Sequence, residues 1–163
     1  MTVTDQLLAN AEAYAASFDE GDLPMPPAKQ VAVMACMDAR LDPYRLLGLA
    51  EGDAHVIRNA GGVVTQDALR SLAISQRLLG TREVVLLHHT DCGMLTFSDQ
   101  EFRDAIAAET GVRPSWAAEA FTDLDADVRQ SMARIHAEPS IPVKDAVRGF
   151  VYAVEDGTLR EVV

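Results

Sequence analysis

Apolar positions fall into two patterns along the chain. Short unbroken runs, "QVAVMAC" at 30–36 and "EVVLLHH" at 83–89, alternate with stretches where apolar residues recur every three or four positions. Unbroken runs of this length read as strands covered on both faces of a parallel sheet, and the recurring pattern reads as amphipathic helix. Residues 5–18 are helical by this test, with Leu7, Leu8, Ala11, Tyr14, Ala15 and Phe18 at helical spacing. The prolines of "EGDLPMPPAK" end that helix, so residues 1–28 form a helix and a proline-rich arm ahead of the core.

Punctuation residues mark the remaining elements. "LDPYRLLGL" predicts a short helix with Asp42 as N-cap, Pro43 at its first position and Gly48 as its stop. "AHVIRNAGG" at 54–62 predicts a second strand closing on a glycine-rich turn. The next helix starts at the Thr65 cap and stops at Gly80, with Leu69, Leu72, Ala73, Gln76 and Leu79 along one face. Ser98 and Glu101 form a capping-box pair ahead of "FRDAIAAET", and Phe121–His136 reads as a further helix. "GFVYAVEDGTLREV" predicts a strand, an Asp-Gly turn and a short returning strand.

This alternation predicts a single α/β domain over residues 1–163, with a mainly parallel central β-sheet flanked by helices. Ligands bind such sheets beyond the carboxyl ends of the strands, where both cysteines of the chain fall. Charge narrows the partners. A net charge of −11, from 14 basic and 25 acidic side chains, opposes a phosphate backbone and argues against nucleic acid. No run approaches the ~20 apolar residues of a membrane span. The acidic start without a sustained apolar core is unlike a secretory signal, so the expected location is cytoplasmic. A disulfide between Cys36 and Cys92 is disfavoured there, which turns attention to metal binding or catalysis.

"HHTDCG" at 88–93 puts His89 and Cys92 at H-x-x-C spacing, within reach of one ion across a turn. Imidazole with thiolate favours zinc over magnesium or calcium. Cys36 ends another strand and brings a third donor to the same edge, and three protein ligands with one free position is the pattern of a catalytic zinc. In "CMDAR", Cys36, Asp38 and Arg40 share one face if the segment stays extended. Arg40 can hold the Asp38 carboxylate bidentately, ready to orient a water or to swing onto the metal, while the plain alternative is a surface ion pair. A cysteine phosphatase needs an arginine six positions after its cysteine, where Asp42 stands. A Cys92–His89 nucleophile or a Cys36–Cys92 redox pair leaves other parts of the cluster without a role. In "RNAGG" at 58–62, consecutive glycines permit close backbone approach at the same edge, or simply a tight turn.

C-x-D-x-R, then R-N-A-G, then H-x-x-C-G, each at a strand end, resembles the β-class carbonic anhydrases. The likeness runs from about Gln30 to Gly93 and is most specific to a short actinobacterial-type subgroup. It implies one zinc ion per subunit on Cys36, His89 and Cys92, a catalytic dyad of Asp38 and Arg40, and a glycine segment in which Gly61 lies near the substrate. His88 stands where the family usually has glycine and is not counted as a ligand. The implied reaction is hydration of carbon dioxide to bicarbonate and a proton by zinc-bound hydroxide. The implied assembly is a dimer or tetramer whose N-terminal helix packs on a neighbour. Met37, Val63, Val64, Met94 and Leu95 are candidate walls of a small apolar pocket. Relatives that hydrolyse carbonyl sulfide or carbon disulfide, and a non-catalytic zinc or bicarbonate-binding module, remain alternative readings.

Overall fold

The unbroken apolar runs become the middle of one sheet. In the computed structural model, which describes residues 1–163, β1 (Val31–Cys36), β2 (Ala54–Asn59), β3 (Glu83–His89) and β4 (Val147–Tyr152) run parallel in the spatial order β2-β1-β3-β4. β5 (Leu159–Val162) returns antiparallel on the outside of β4 as the predicted hairpin, with Gly157 at φ 77° in the connection. β1 is an interior strand, and Ala32, Val33, Met34 and Ala35 have no exposed surface, as a run apolar on both faces requires. β2 is an edge strand and only half-buried.

Alternation along β1 and β3 divides the core into two layers. Ala32, Met34, Val84 and Leu86 pack against α3 (Gln66–Leu79), through Ala68, Leu69 and Leu72, and against Ile135 of α5 (Leu124–Ala137). Val33, Ala35 and Leu87 face the other way, onto Leu41, Val63, Met94, Phe121 and the leucines of α2 (Pro43–Leu47). Each of the larger side chains among them contributes about 1.5–3 kcal/mol on leaving water, so the two layers fix which strand faces are available to a site.

The caps sit where the sequence puts them. Asp42 accepts from the backbone N–H groups of Tyr44 and Arg45 at 3.1 and 3.3 Å, Thr65 accepts from Ala68, and Gly48 and Gly80 close their helices in the left-handed region. The Ser98–Glu101 capping box opens α4 (Asp99–Thr110).

Two boundaries differ from expectation. α1 spans Val3–Ala15 rather than 5–18: a capping box between Thr2 and Asp5 starts it early, and i→i+3 bonds at Ser17 and Phe18 tighten its end. α5 starts at Leu124 because Asp123 caps it with a 2.8 Å bond from Ala126 N–H. Phe121 is therefore a loop residue, tied by its N–H to the Met94 carbonyl and buried in the second core layer. No residue of α1 is buried, and no helix is long and apolar enough to cross a membrane.

Candidate metal centre

Adjacent parallel strands carry the donors to one edge. The ladder between β1 and β3 runs from Val31 opposite Glu83 to Ala35 opposite Leu87, so Cys36 and His89 emerge together at the carboxyl end. His89 shares the face of Leu87, and the turn after β3 folds Cys92 back beneath it. Cys36 Sγ, a ring nitrogen of His89 and Cys92 Sγ all lie within 4.8 Å of one another, and all three residues are buried.

Each donor is prepared for a cation. His89 Nδ1 donates to the Thr90 carbonyl at 2.7 Å, which fixes the tautomer and leaves the Nε2 lone pair free. Nε2 is buried without a hydrogen-bond partner, an expensive condition unless something positive meets it. The two sulfurs are 4.0 Å apart, too far for a disulfide and close to the ~3.8 Å edge expected for two thiolates about 2.3 Å from one tetrahedral zinc. Their mutual hydrogen bond draws the Cys36 thiol below its ordinary value and pushes the Cys92 thiol above its own. The donor set fits zinc.

Asp38 and Arg40 reach the cluster through a turn, not through the shared extended face expected from sequence. The chain bends after Cys36, with Leu41 N–H donating to the Asp38 carbonyl at 3.1 Å. The bend lets the Arg40 guanidinium fold back on Asp38, with Nε 3.0 Å from Oδ1 and Nη2 2.9 Å from Oδ2, while the Arg40 backbone N–H adds a third bond at 2.8 Å. This grip holds the Asp38 carboxyl well below the usual carboxylate range. Asp38 Oδ2 ends 3.6 Å from His89 Nε2, at the mouth of the donor cluster.

Gly61 and Gly62 form the turn under this loop at φ 82° and 70°, which favours glycine. A Cβ on Gly62 would sit 2.8 Å from Cys36 N and 2.9 Å from the Leu87 carbonyl, so that glycine lets the turn press on β1 and β3. One on Gly61 would crowd Phe121, Met94 and Val63 at 3.0–3.1 Å. Of the expected apolar walls, Val63, Met94 and Leu95 pack in the layer that holds both cysteines. Met37 is exposed instead, and Val64 belongs to the opposite layer because strand-like alternation after Val63 turns it away.

The sequence alone assigns no role to two residues at the site. Arg58, inside the quoted "RNAGG", donates twice to the Cys36 carbonyl at 2.9 and 2.7 Å and once each to those of Asp38 and Leu41 at 2.8 Å. It clamps the loop that carries Cys36 and Asp38. Asp91, between His89 and Cys92, receives Arg40 Nη1 on its carboxylate at 2.8 Å. His88 points the other way, with no exposed surface, its Nε2 2.7 Å from Asp127 of α5.

The family model of carbonic anhydrases matches residues 31–159. Beta-carbonic anhydrase 1 of Mycobacterium tuberculosis is 62% identical over 162 residues, covering 99% of both chains. A carbon disulfide hydrolase of Acidianus sp. is 32% identical, covering 96% of this chain and 87% of its own. The crystal structure of carbonic anhydrase from Streptococcus mutans superposes with a TM-score of 0.93 at 41% identity, covering 100% of this chain and 99% of that one. On sequence and fold together, the chain belongs to the β-class carbonic anhydrase family.

Proposed function

We propose that the protein is an enzyme of the reversible reaction of carbon dioxide and water to bicarbonate and a proton, with one zinc ion per subunit held by Cys36, His89 and Cys92. The observation that carries this reading is the buried donor cluster with an ionised carboxylate at its mouth. Zinc, when bound, supplies Lewis acidity that brings the pKa of a coordinated water toward ~7.

The protein supplies orientation and shelter. Asp38 Oδ2 accepts a hydrogen bond from the attacking water and so turns an oxygen lone pair toward the carbon. Arg40 keeps that carboxylate ionised and aimed. Gly61 borders the substrate space, at a turn packed so closely on Phe121, Met94 and Val63 that a Cβ would press on all three. Carbon dioxide suits this wall, since it brings no charge and little polarity to be satisfied.

The enzyme acts in the cytoplasm as a dimer or tetramer. In support, Leu7, Leu8, Tyr14 and Phe18 all lie exposed on and after α1, an apolar stripe suited to a second copy of the chain. Hydrolysis of carbon disulfide is the second reading, raised by the 32% identical hydrolase and weakened by the 62% identity to an anhydrase. Stopped-flow hydration of carbon dioxide on protein of known zinc content tests the proposal. Zinc-dependent turnover is expected. Full zinc occupancy without it, combined with sulfide release from carbon disulfide, would favour the second reading.

A further inference from the structure

Arg40 has two carboxylate partners. Nε and Nη2 face Asp38, whereas Nη1 donates to Asp91 Oδ2 at 2.8 Å and Nη2 also donates to the Asp91 carbonyl at 3.0 Å. The guanidinium thus joins the loop after β1, which carries Cys36, to the turn after β3, which carries His89 and Cys92. Arg40 is 48% exposed, and an exposed arginine loses much rotamer freedom when held in one pose. Asp38 alone fixes one edge of the planar fork, and Asp91 fixes another.

The backbone at Asp91 serves the same end. Its φ of 51° lies in the left-handed region, where aspartate is among the few side chains found often. That bend aims both its carbonyl and its carboxylate at the same guanidinium. Asp91 makes no other side-chain ion pair among the contacts of this site. Its carboxylate is 73% exposed, so burial does not require the arrangement.

We infer that Asp91 is a positioning residue: by anchoring Arg40, it keeps the Asp38 carboxylate on the guanidinium and off the Cys36–His89–Cys92 cluster. Asp38 Oδ2 already stands 3.6 Å from His89 Nε2, so a carboxylate released by a wandering arginine needs little movement to become a fourth donor. Asp91 then sets the balance between an Asp38 that orients water and an Asp38 that closes the metal. The inference rests on the reading of the site given above.

The test uses the zinc-loaded full chain with Asp91→Gly, which keeps the positive φ and removes only the carboxylate, and Asp91→Asn, which keeps φ and restores an oxygen acceptor. Turnover and zinc affinity by chelator competition are measured on each, alone and with Asp38→Asn. Asp91→Gly is expected to lower kcat about tenfold with KM unchanged and to raise zinc affinity about tenfold, the scale of an outer ligand-orienting contact. Asp91→Asn should restore most of both, and Asp38→Asn should abolish the gain in affinity. Wild-type kcat and zinc affinity in Asp91→Gly would overturn the inference. So would a joint loss of turnover and zinc that asparagine does not rescue, because that is the mark of a merely structural turn. A wild-type protein full of zinc yet inactive would instead overturn the anhydrase reading, leaving the affinity comparison as the test of the clip.

Discussion

The sulfurs of Cys36 and Cys92 stand 4.0 Å apart although 56 positions separate them. β2 and α3 lie between them in the chain, yet β1 and β3 are neighbours in the sheet, so the crossover closes the cluster without any local motif. Both thiols are free and buried.

Replacing either sulfur removes one of the three buried donors. Cys36→Ala and Cys92→Ala are expected to lose zinc, read as metal per chain after gel filtration. Stoichiometric zinc in either variant would break the ligand assignment. Because alanine leaves only a small void in place of a thiol, circular dichroism should show both still folded.

Asp38 contributes differently, since it touches the cluster without belonging to the three-donor set. Asp38→Ala is expected to retain zinc while losing turnover by about 100-fold, the scale of a lost proton-handling group. Steady-state hydration and metal content on the same sample check this. Full activity would remove the carboxylate from the mechanism.

The part of this site written in local sequence was legible, and the part made by tertiary approach was not. Cys36, His89 and Cys92 stood out because strand ends and the H-x-x-C spacing fix where they go. The Asp38–Arg40 pair was legible as a pair, but its geometry was not: a turn, not an extended face, joins them, as the Leu41-to-Asp38 backbone bond shows. Arg58 reaches its carbonyls across up to 22 positions and Arg40 reaches Asp91 across 51, distances over which no periodicity carries information. The helix ends at Val3 and Leu124 were displaced by caps, Thr2 and Asp123, that an apolar count does not weigh.

Away from the site, Arg160 holds Asp125 through two bonds at 3.0 and 2.7 Å, tying β5 to the first turn of α5. The guanidinium lowers the Asp125 carboxyl from its ordinary value. A carboxyl depressed in the folded state adds stability above its unfolded pKa of about 3.9 and loses it as pH falls through the folded value. Arg160→Ala should therefore destabilise the protein slightly at pH 7, as befits an exposed pair, and by less and less below pH ~4. Urea midpoints across that range decide it. A deficit that stays constant into acid would mean the pair acts through packing, not charge.

Consecutive histidines of β3 provide the sharpest separation of function from stability. Alternation sends His89 to the donor cluster and His88 to the opposite face, where it meets Asp127 of α5 at 2.7 Å. His88→Ala leaves that carboxylate buried with its partner gone and opens a void beneath the helix, at a cost of about 3 kcal/mol. The denaturant midpoint should fall with its slope unchanged, while zinc content and the kcat of the folded fraction stay near wild type. His89→Ala should do the reverse: lose zinc and turnover, and give up far less stability in the metal-free protein, because its Nε2 is already without a protein partner. If His88→Ala released zinc as readily as His89→Ala, the two faces of β3 would not be independent and the division of labour along this strand would be wrong.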